Sequence, residues 1–219
     1  MLPREVDHHK RFQIDRIALF SDAVFAIAIT LLIIEVKVPE LERPVTDAQI
    51  GKRLIWVLPR MAGFVVSFYV IGLYWLVHHR MFGYVVGYNR RLLVNNLLFL
   101  FSIVLMPFSS ALYSEYFITT THIPMAVYVF NICFSGFMSY RLWKILGQPG
   151  SGLSQGLGNK ILLRYFLFRS LMVPFVFILI FLLSLLFNQF AYFVTILVPL
   201  VNQTLINRFR KKHPGEFVA

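Results

Sequence analysis

The sequence predicts an all-α membrane protein with six transmembrane helices, and its composition, its long apolar runs and its charge distribution are the observations that predict this. Of the 219 residues, 58% are hydrophobic and 14% are charged, and the mean hydropathy is +0.70. Soluble domains carry about 25% charged residues, and a water-soluble globule of this size could not cover so much apolar surface. The single cysteine, Cys133, permits no internal disulfide. An ordinary soluble enzyme, a disordered chain and a disulfide-stabilised secreted domain are therefore excluded.

The first three predicted spans are apolar runs long enough to cross a bilayer. Residues 17–38 form a run of 22 residues, which is about 33 Å of helix and covers a hydrocarbon core of about 30 Å. The second span, residues 54–77, has Pro59 near its start, where a proline costs a helix least. The third, residues 92–112, has Pro107 in its last turns.

The last three predicted spans follow the same pattern. The fourth, residues 123–143, opens with Pro124 at a position that suits a first helical residue. The fifth and sixth, residues 165–187 and 190–206, are separated by two residues and are expected to form a tight antiparallel hairpin. Each contains one proline, which membrane helices tolerate as a kink.

The basic residues predict the orientation of these spans. Sixteen of the 21 Lys and Arg residues precede the first span, follow the sixth, or lie at the second and fourth connections. Positively charged connections stay in the cytoplasm, so we expect a multi-pass protein of the cell membrane with both termini cytoplasmic. The predicted organisation is a cytoplasmic N-terminal segment (1–16), a six-helix transmembrane domain (17–206) and a basic cytoplasmic tail (207–219). The net charge of +11 is thus explained by topology, and no nucleic-acid partner is expected.

Other motifs point to no catalytic or metal-binding chemistry. The connection GQPGSGLSQGLG (147–158) is low in complexity and is expected to be flexible, but it lacks the Lys-Ser/Thr ending of a phosphate-binding loop. The adjacent His8 and His9 are poorly placed to share one metal ion on a helix. No internal repeat and no catalytic constellation is evident, so we predict neither an enzyme nor a resident cofactor.

One charged residue lies where charge is expensive. Asp22 is more than one turn inside the first apolar run, and a carboxylate there needs partners. Polar side chains at the same predicted depth end the second span and open the third: Trp75, His78, His79, Asn95 and Asn96. We favour an interhelical hydrogen-bond network that includes Ser21 and fixes helix packing. A proton relay through Asp22 and His78 is the alternative.

An aliphatic stripe lies on a different face of the same span. Ile27, Leu31 and Ile34 follow i, i+4, i+7 spacing, and Thr30 lies about 60° to one side of Ile27. Taken alone, such a stripe indicates packing or lipid contact. Asp22 lies about 140° around the helix from Ile27, so the stripe and the carboxylate face different surroundings.

The first span resembles the first helix of the transmembrane protein 175 family, which comprises endolysosomal potassium channels and shorter prokaryotic relatives. The resemblance rests on Arg16, Phe20, Ser21 and Asp22 followed by AVFAIAITLL. Three further features are similar to the family's second and third helices: the Trp75–His78 pair, Asn96 (or Asn95), and the Pro107-Phe108 dipeptide. Six spans fit the prokaryotic form.

The resemblance implies a homotetramer whose four first helices line a central pore. Ile27, Leu31 and Ile34 match the aliphatic rings that form the constriction, with Ile27 as the principal gate, and Thr30 matches a hydroxyl layer linked to potassium preference. The residues that match the family's interhelical network are Arg16, Phe20, Ser21, Asp22, Trp75, His78 and Asn96. This chain has no TVGYG-type filter.

The expected function is passive, modestly selective potassium permeation through a hydrophobic constriction, with potassium as the permeant and no cofactor. A proton-coupled secondary transporter or a proton-conducting channel that uses Asp22 and His78 is the main alternative. Transporters usually show repeats and broken helices, which favours the channel. A membrane scaffold without transport activity is a further alternative.

Overall fold

The computed structural model describes residues 3–41, 44–116, 121–187 and 207, and its regular elements are helices. They are α1 (Pro3–Ile34), α2 (Asp47–Phe82), α3 (Arg90–Val104), α4 (Met106–Glu115), α5 (Ile123–Leu146) and α6 (Lys160–Phe187). The predicted sixth span, residues 190–206, and the basic tail, apart from Asn207, lie outside the described residues.

Five described segments are long and apolar enough to cross a membrane. They are Lys10–Ile34, Asp47–Phe82, Arg90–Glu115, Ile123–Leu146 and Lys160–Leu186. The predicted all-helical membrane class is confirmed, because each segment overlaps one of the first five apolar runs. That the chain has six transmembrane helices in total stays a prediction.

Helix α2 begins earlier than the sequence pattern predicts. Thr46 caps it through a reciprocal pair, in which the Gln49 backbone N–H donates to Thr46 Oγ1 (3.4 Å) and the Thr46 backbone N–H donates to Gln49 Oε1 (2.9 Å). This capping box satisfies two backbone donors and lets polar residues extend the helix. The prediction that Pro59 lies near a helix start was therefore wrong, since Pro59 is inside α2.

Helix α1 ends at Ile34, four residues before the predicted end. Pro39 disfavours helical geometry at Val38, which precedes it. The backbone leaves the helix in a turn in which the Val36 N–H donates to the carbonyl of Ile33 over 3.1 Å. Glu35 therefore follows the last helical residue.

The third predicted span is two helices rather than one. Helix α3 ends at Val104, Leu105 forms a turn, and α4 begins at Met106 with Pro107 in its first turn. Proline has no N–H to donate to the preceding turn, so it interrupts the ladder where it would otherwise continue. The prediction that Pro107 lies in the last turns of a single helix was wrong. Pro124, in contrast, lies in the first turn of α5 as predicted.

Helix α5 is the central element of the described bundle. Helices α3, α4 and α6 pack on it, and α1 packs on α2, α3 and α4. The α5–α6 approach is close because Gly136 has no side chain: a Cβ atom there would meet Pro174, and would lie 2.8 Å from the carbonyl oxygen of Ser170. Near the α6 start, the buried rings of Trp143 and Phe166 stack 4.1 Å apart.

The glycine-rich connection is held against the α2–α3 connection. The Val86 N–H donates to the Leu153 carbonyl and the Gln155 N–H donates to the Tyr84 carbonyl, each over 2.9 Å. Gly156 adopts φ 85°, a backbone geometry that favours glycine. These bonds order a segment that its composition predicted to be flexible.

Candidate functional site

Helix α1 has one packed face and one open face. Its buried side chains recur every three, four or seven residues and pack against the rest of the bundle: Ile14, Ser21, Phe25, Ala28 and Leu32. The face about 130° away carries Phe20, Ile27 and Ile34, which are 54%, 60% and 69% exposed. The helix is therefore attached to its own bundle along a single side.

A hydrogen-bond chain crosses from α1 through α3 to α2. Asn96 Nδ2 donates to Ser21 Oγ over 3.0 Å, and Ser21 Oγ donates to the carbonyl of Ile17 over 2.8 Å. His78 Nε2 lies 2.8 Å from Asn96 Oδ1. Because an amide oxygen can only accept, His78 Nε2 is the donor. Ser21, His78 and Asn96 are all buried.

A second bond joins Asp22 to α2. Trp75 Nε1 donates to Asp22 Oδ1 over 2.9 Å, and the Trp75 ring stacks on His79 with centroids 5.4 Å apart. The carboxylate therefore has the indole partner expected of a charge placed inside an apolar run. The Trp75–Asp22 bond and the Ser21–Asn96 bond together fix the rotation of α1 relative to α2 and α3.

The structure distinguishes the two adjacent asparagines. Asn96 makes both interhelical bonds, whereas Asn95 Nδ2 donates to the carbonyl of Arg91 within α3 over 2.8 Å. The rings of Phe99 and His78 are parallel and 5.4 Å apart, and Phe25 lies 5.6 Å from His78. Aromatic side chains of α1 and α3 therefore pack against the buried imidazole.

Two predicted members of the network lie apart from it within the described protomer. Arg16 is exposed, and its guanidinium lies 6.0 Å from the centre of the Phe12 ring. Phe20 is exposed on the open face of α1. Neither side chain is brought to Asp22 or Ser21 by hydrogen bonds of this chain.

The aliphatic stripe and Thr30 lie on the open side of α1. Ile27, Leu31 and Ile34 are exposed. Thr30 Oγ1 donates within its own helix, lying 3.0 Å from the carbonyl of Ala26 and 2.9 Å from that of Ile27. Since the hydroxyl proton is used inside the helix, the oxygen lone pairs are left directed away from it.

A second polar cluster, which the sequence analysis missed, ties α2 to α4 and α5. Ser67 Oγ lies 2.6 Å from Ser110 Oγ and 2.8 Å from the hydroxyl of Tyr128, and all three residues are buried. Asn131 Nδ2 donates to Ser109 Oγ over 3.1 Å. The Ser109-Ser110 pair beside Pro107 was the available signal. Serines in membrane helices mostly bond to their own backbone, so the pair alone predicted no partner.

The end of the bundle at which α1 stops has an ion pair and a cavity. Arg60 Nη2 lies 2.7 Å from Glu115 Oε2, with both side chains partly exposed. Beside them is a cavity of about 250 Å³ between α1, α2 and α4, whose lining includes Leu32, Phe64 and Phe108. Within the described ranges, no group of three His, Cys, Asp or Glu side chains could hold a metal ion.

Part of the chain matches the model of a known protein family. Residues 16–107 match the model of TMEM175, described as the endosomal/lysosomal potassium channel TMEM175. This stretch contains α1 from Arg16 onward, the network and the aliphatic stripe. The family comprises ion channels and not enzymes, which confirms the prediction that this protein is not an enzyme.

Individual relatives agree with the family match. A potassium channel of Streptomyces collinus is 38% identical over 137 residues, which cover 62% of this chain and 65% of that protein. A potassium channel of Chamaesiphon minutus is 34% identical over 140 residues, covering 64% and 68% of the two chains. The endosomal/lysosomal proton channel TMEM175 of Gallus gallus is 33% identical over 110 residues, covering 47% of this chain and 21% of that protein. The chain thus matches just under two thirds of the Streptomyces protein's length.

The fold is also similar to a solved structure. The crystal structure of a lysosomal potassium-selective channel TMEM175 homolog from Chamaesiphon minutus superposes with a TM-score of 0.74 at 27% identity. The superposition covers 88% of this chain and 97% of that one. On the family match, the sequence relatives and this structural similarity, the chain belongs to the TMEM175 family.

Proposed function

We propose that the protein is a passive, modestly potassium-selective channel, assembled as a homotetramer in which four copies of α1 surround the pore. Relatives in Streptomyces and Chamaesiphon are potassium channels by name, and the similar solved structure is of a potassium-selective one. The observation that carries the proposal is the exposure of an apolar face on α1, opposite the face that packs on the bundle.

Under this proposal, Ile27, Leu31 and Ile34 form stacked rings around the axis, with Ile27 as the principal gate. A ring of branched aliphatic side chains narrower than a hydrated ion excludes water, so an ion that enters must lose hydration. Potassium loses water more readily than sodium, and such a ring therefore gives modest discrimination. Widening the ring rewets it and lets ions pass down their gradient.

Thr30 is the proposed selectivity residue. Its hydroxyl proton is donated within α1, so its oxygen is available as an acceptor beside the stripe. Four such oxygens around an axis would supply ligands to a partly dehydrated cation. The ring of threonines would then adjust the preference that dehydration alone creates.

The interhelical network is proposed to anchor the pore helix. Trp75 Nε1 and Asn96 Nδ2 are donor groups only, so they cannot pass a proton along a chain of bonds. The geometry therefore supports fixing of α1 by Ser21 and Asp22 more than it supports conduction. Arg16 and Phe20 are exposed on α1, where the contacts expected of them would come from another subunit.

The proposed orientation places both termini in the cytoplasm of a cell-membrane protein. Alternating helices bring the ends of α2 and α5 and the starts of α3 and α6 to one end of the bundle. Arg80, Arg90, Arg91, Lys144 and Lys160 lie there. The positive-inside rule supports a cytoplasmic location for this end.

Single-channel recording in liposomes tests the proposal. Ile27→Asn replaces an apolar ring by a wettable one and should raise the current at rest, with reversal near the potassium equilibrium potential. Ile33→Asn is the matched control, because Ile33 is 46% exposed on the same helix but lies about 120° from Ile27. Equal currents from a folded Ile27→Asn protein and the wild type would refute the gate assignment.

A proton-conducting channel or proton-coupled transporter is the second candidate, because the Gallus gallus relative is named a proton channel. In that case Asp22 and His78 would carry the proton. Asp22→Asn, which keeps the Trp75 bond partner, would abolish flux driven by a pH gradient while leaving the protein folded. Under the channel proposal the same variant keeps its potassium current and stays folded, since an asparagine Oδ1 still accepts the bond from Trp75.

A further inference from the structure

Arg169 lies at the edge of the membrane-spanning part of α6. The 18 residues after it, 170–187, contain no charged side chain, and they extend about 27 Å as a helix, close to the thickness of a hydrocarbon core. Arg169 therefore lies where lipid headgroups meet acyl chains. Arg80, in the last turn of α2, is at the same end of the bundle.

A groove separates α2 and α6 at this level. Both helices flank α5 and make little direct contact with each other. The groove is lined by Leu73 and Val77 of α2, Ser139 of α5, and Arg169 and Met172 of α6. The space within it is about 10 Å³, which holds one water molecule at most. A larger ligand must lie along the surface of the groove and not inside it.

The two arginines present like charges to this groove. Arg80 lies seven residues after the groove-lining Leu73, about 20° around α2 from it, so Arg80 lies on the side of α2 that faces the groove. In the described part of the chain, neither arginine has a carboxylate within 4.0 Å; the ion pair found there joins Arg60 and Glu115. Two cations near a medium of low polarity favour an anion between them.

We propose that this groove binds an anionic phospholipid, with its phosphate between Arg80 and Arg169 and an acyl chain along Leu73, Leu76 and Val77. Guanidinium groups bind phosphate through paired N–H donors. Basic pockets between transmembrane helices are typical sites for anionic headgroups. The depth of the arginines and the exposed apolar surface of Leu76 favour a lipid over a soluble anion.

Lipid titration of the delipidated full-length protein, followed by native mass spectrometry, tests the site. Phosphatidylglycerol should bind more tightly than phosphatidylcholine, even in about 0.5 M salt, where the Debye length is about 4 Å. Substitution R80Q or R169Q should weaken phosphatidylglycerol binding about fivefold each, as expected for a basic residue beside an anionic lipid. The matched control is R164Q, because Arg164 is exposed on α6 about 140° away from Arg169. It should change binding less than twofold.

Three outcomes would overturn the proposal: no preference for phosphatidylglycerol, an equal loss in R164Q, or displacement of the lipid by inorganic phosphate alone. Loss of the subunit assembly in R80Q and R169Q would show instead that the groove is a subunit contact, and this too would overturn it. If the glutamine variants do not fold, the lipid binding and thermal stability of R169K are measured instead. Weaker lipid binding at unchanged thermal stability supports the site, and unchanged binding contradicts it.

Discussion

Asn96→Leu tests the hydrogen-bond network directly. The substitution replaces a buried amide by an apolar side chain of similar size, and it removes the bond from Asn96 to Ser21 and the bond from His78 to Asn96. Ser21 keeps its bond to the carbonyl of Ile17. The donor Nε2 of His78, whose ring packs against those of Phe25 and Phe99, is left without its partner.

The size of the effect follows from these contacts. Interhelical hydrogen bonds in membrane proteins contribute about 0.6 kcal/mol each on average, so two lost bonds account for about 1.2 kcal/mol. A stranded buried donor adds about 1–3 kcal/mol. Asn96→Leu should therefore lower the free energy of unfolding by about 2–4 kcal/mol.

Asn95→Leu is the matched control, and it should leave the free energy of unfolding nearly unchanged or raise it. Asn95 bonds only within α3 in the described structure, and its buried Oδ1 has no hydrogen-bond partner there. Replacing an unsatisfied acceptor by an apolar group is close to neutral or stabilising. Unfolding by SDS at one fixed protein concentration, followed by tryptophan fluorescence, measures both variants. Equal losses in the two, or a loss below about 1 kcal/mol in Asn96→Leu, would refute the reasoning.

The double variant His78→Phe/Asn96→Leu separates lost bonds from the stranded donor. With both polar partners gone, no N–H of this pair is left unpaired, and the ring still packs against Phe99. Part of the loss, about 1–3 kcal/mol, should be recovered. Failure to recover any stability would show that the cost of Asn96→Leu comes from packing and not from the donor.

Two further predictions concern helix packing and surface charge. Gly136→Ala should destabilise the α5–α6 contact by about 1–3 kcal/mol, because the new Cβ would lie 2.8 Å from the carbonyl oxygen of Ser170. Gly51→Ala is the control and should not destabilise the protein, because there is open space around Gly51. A thermal shift assay compares the two variants. Arg60→Gln should lower the free energy of unfolding by about 0.2–1 kcal/mol, since the ion pair with Glu115 is partly exposed. If added salt makes this difference in stability smaller in the same assay, an electrostatic origin is confirmed.

The sequence predicted the first five spans because backbone groups in a bilayer must be satisfied within the helix, which gives long apolar runs one dominant outcome. It misplaced helix ends, since these depend on local bonds. Thr46 and Gln49 form a cap that brings seven residues, Asp47 to Arg53, into α2, and four of the seven are polar. Pro107 interrupts the third span because it has no N–H to donate to the preceding turn, and the next helix begins one residue before it, at Met106.

The sequence predicted those parts of the candidate site that depend on how deep a residue lies in the membrane. Asp22, Trp75 and His78 lie at the same depth, and depth can be counted along a sequence. The choice between Asn95 and Asn96 depends on the rotation of α3, which a count does not give. The Ser67–Ser110–Tyr128 cluster was missed because each residue is unremarkable on its own helix. Only their packing brings the three hydroxyls together.

Under the proposed arrangement, the position of the anchor limits how the gate can open. Ile27 lies about 9 Å along α1 from Ser21 and Ile34 about 20 Å from it, at about 1.5 Å per residue. A tilt of about 10° around the anchor would therefore move Ile34 by about 3 Å and Ile27 by about 1.5 Å. The cavity of about 250 Å³ lies beside Leu32, on the packed side of the same end of α1. It supplies room for an outward tilt at the end of the helix where the displacement is largest, while the bonds at Ser21 and Asp22 keep the other end in place.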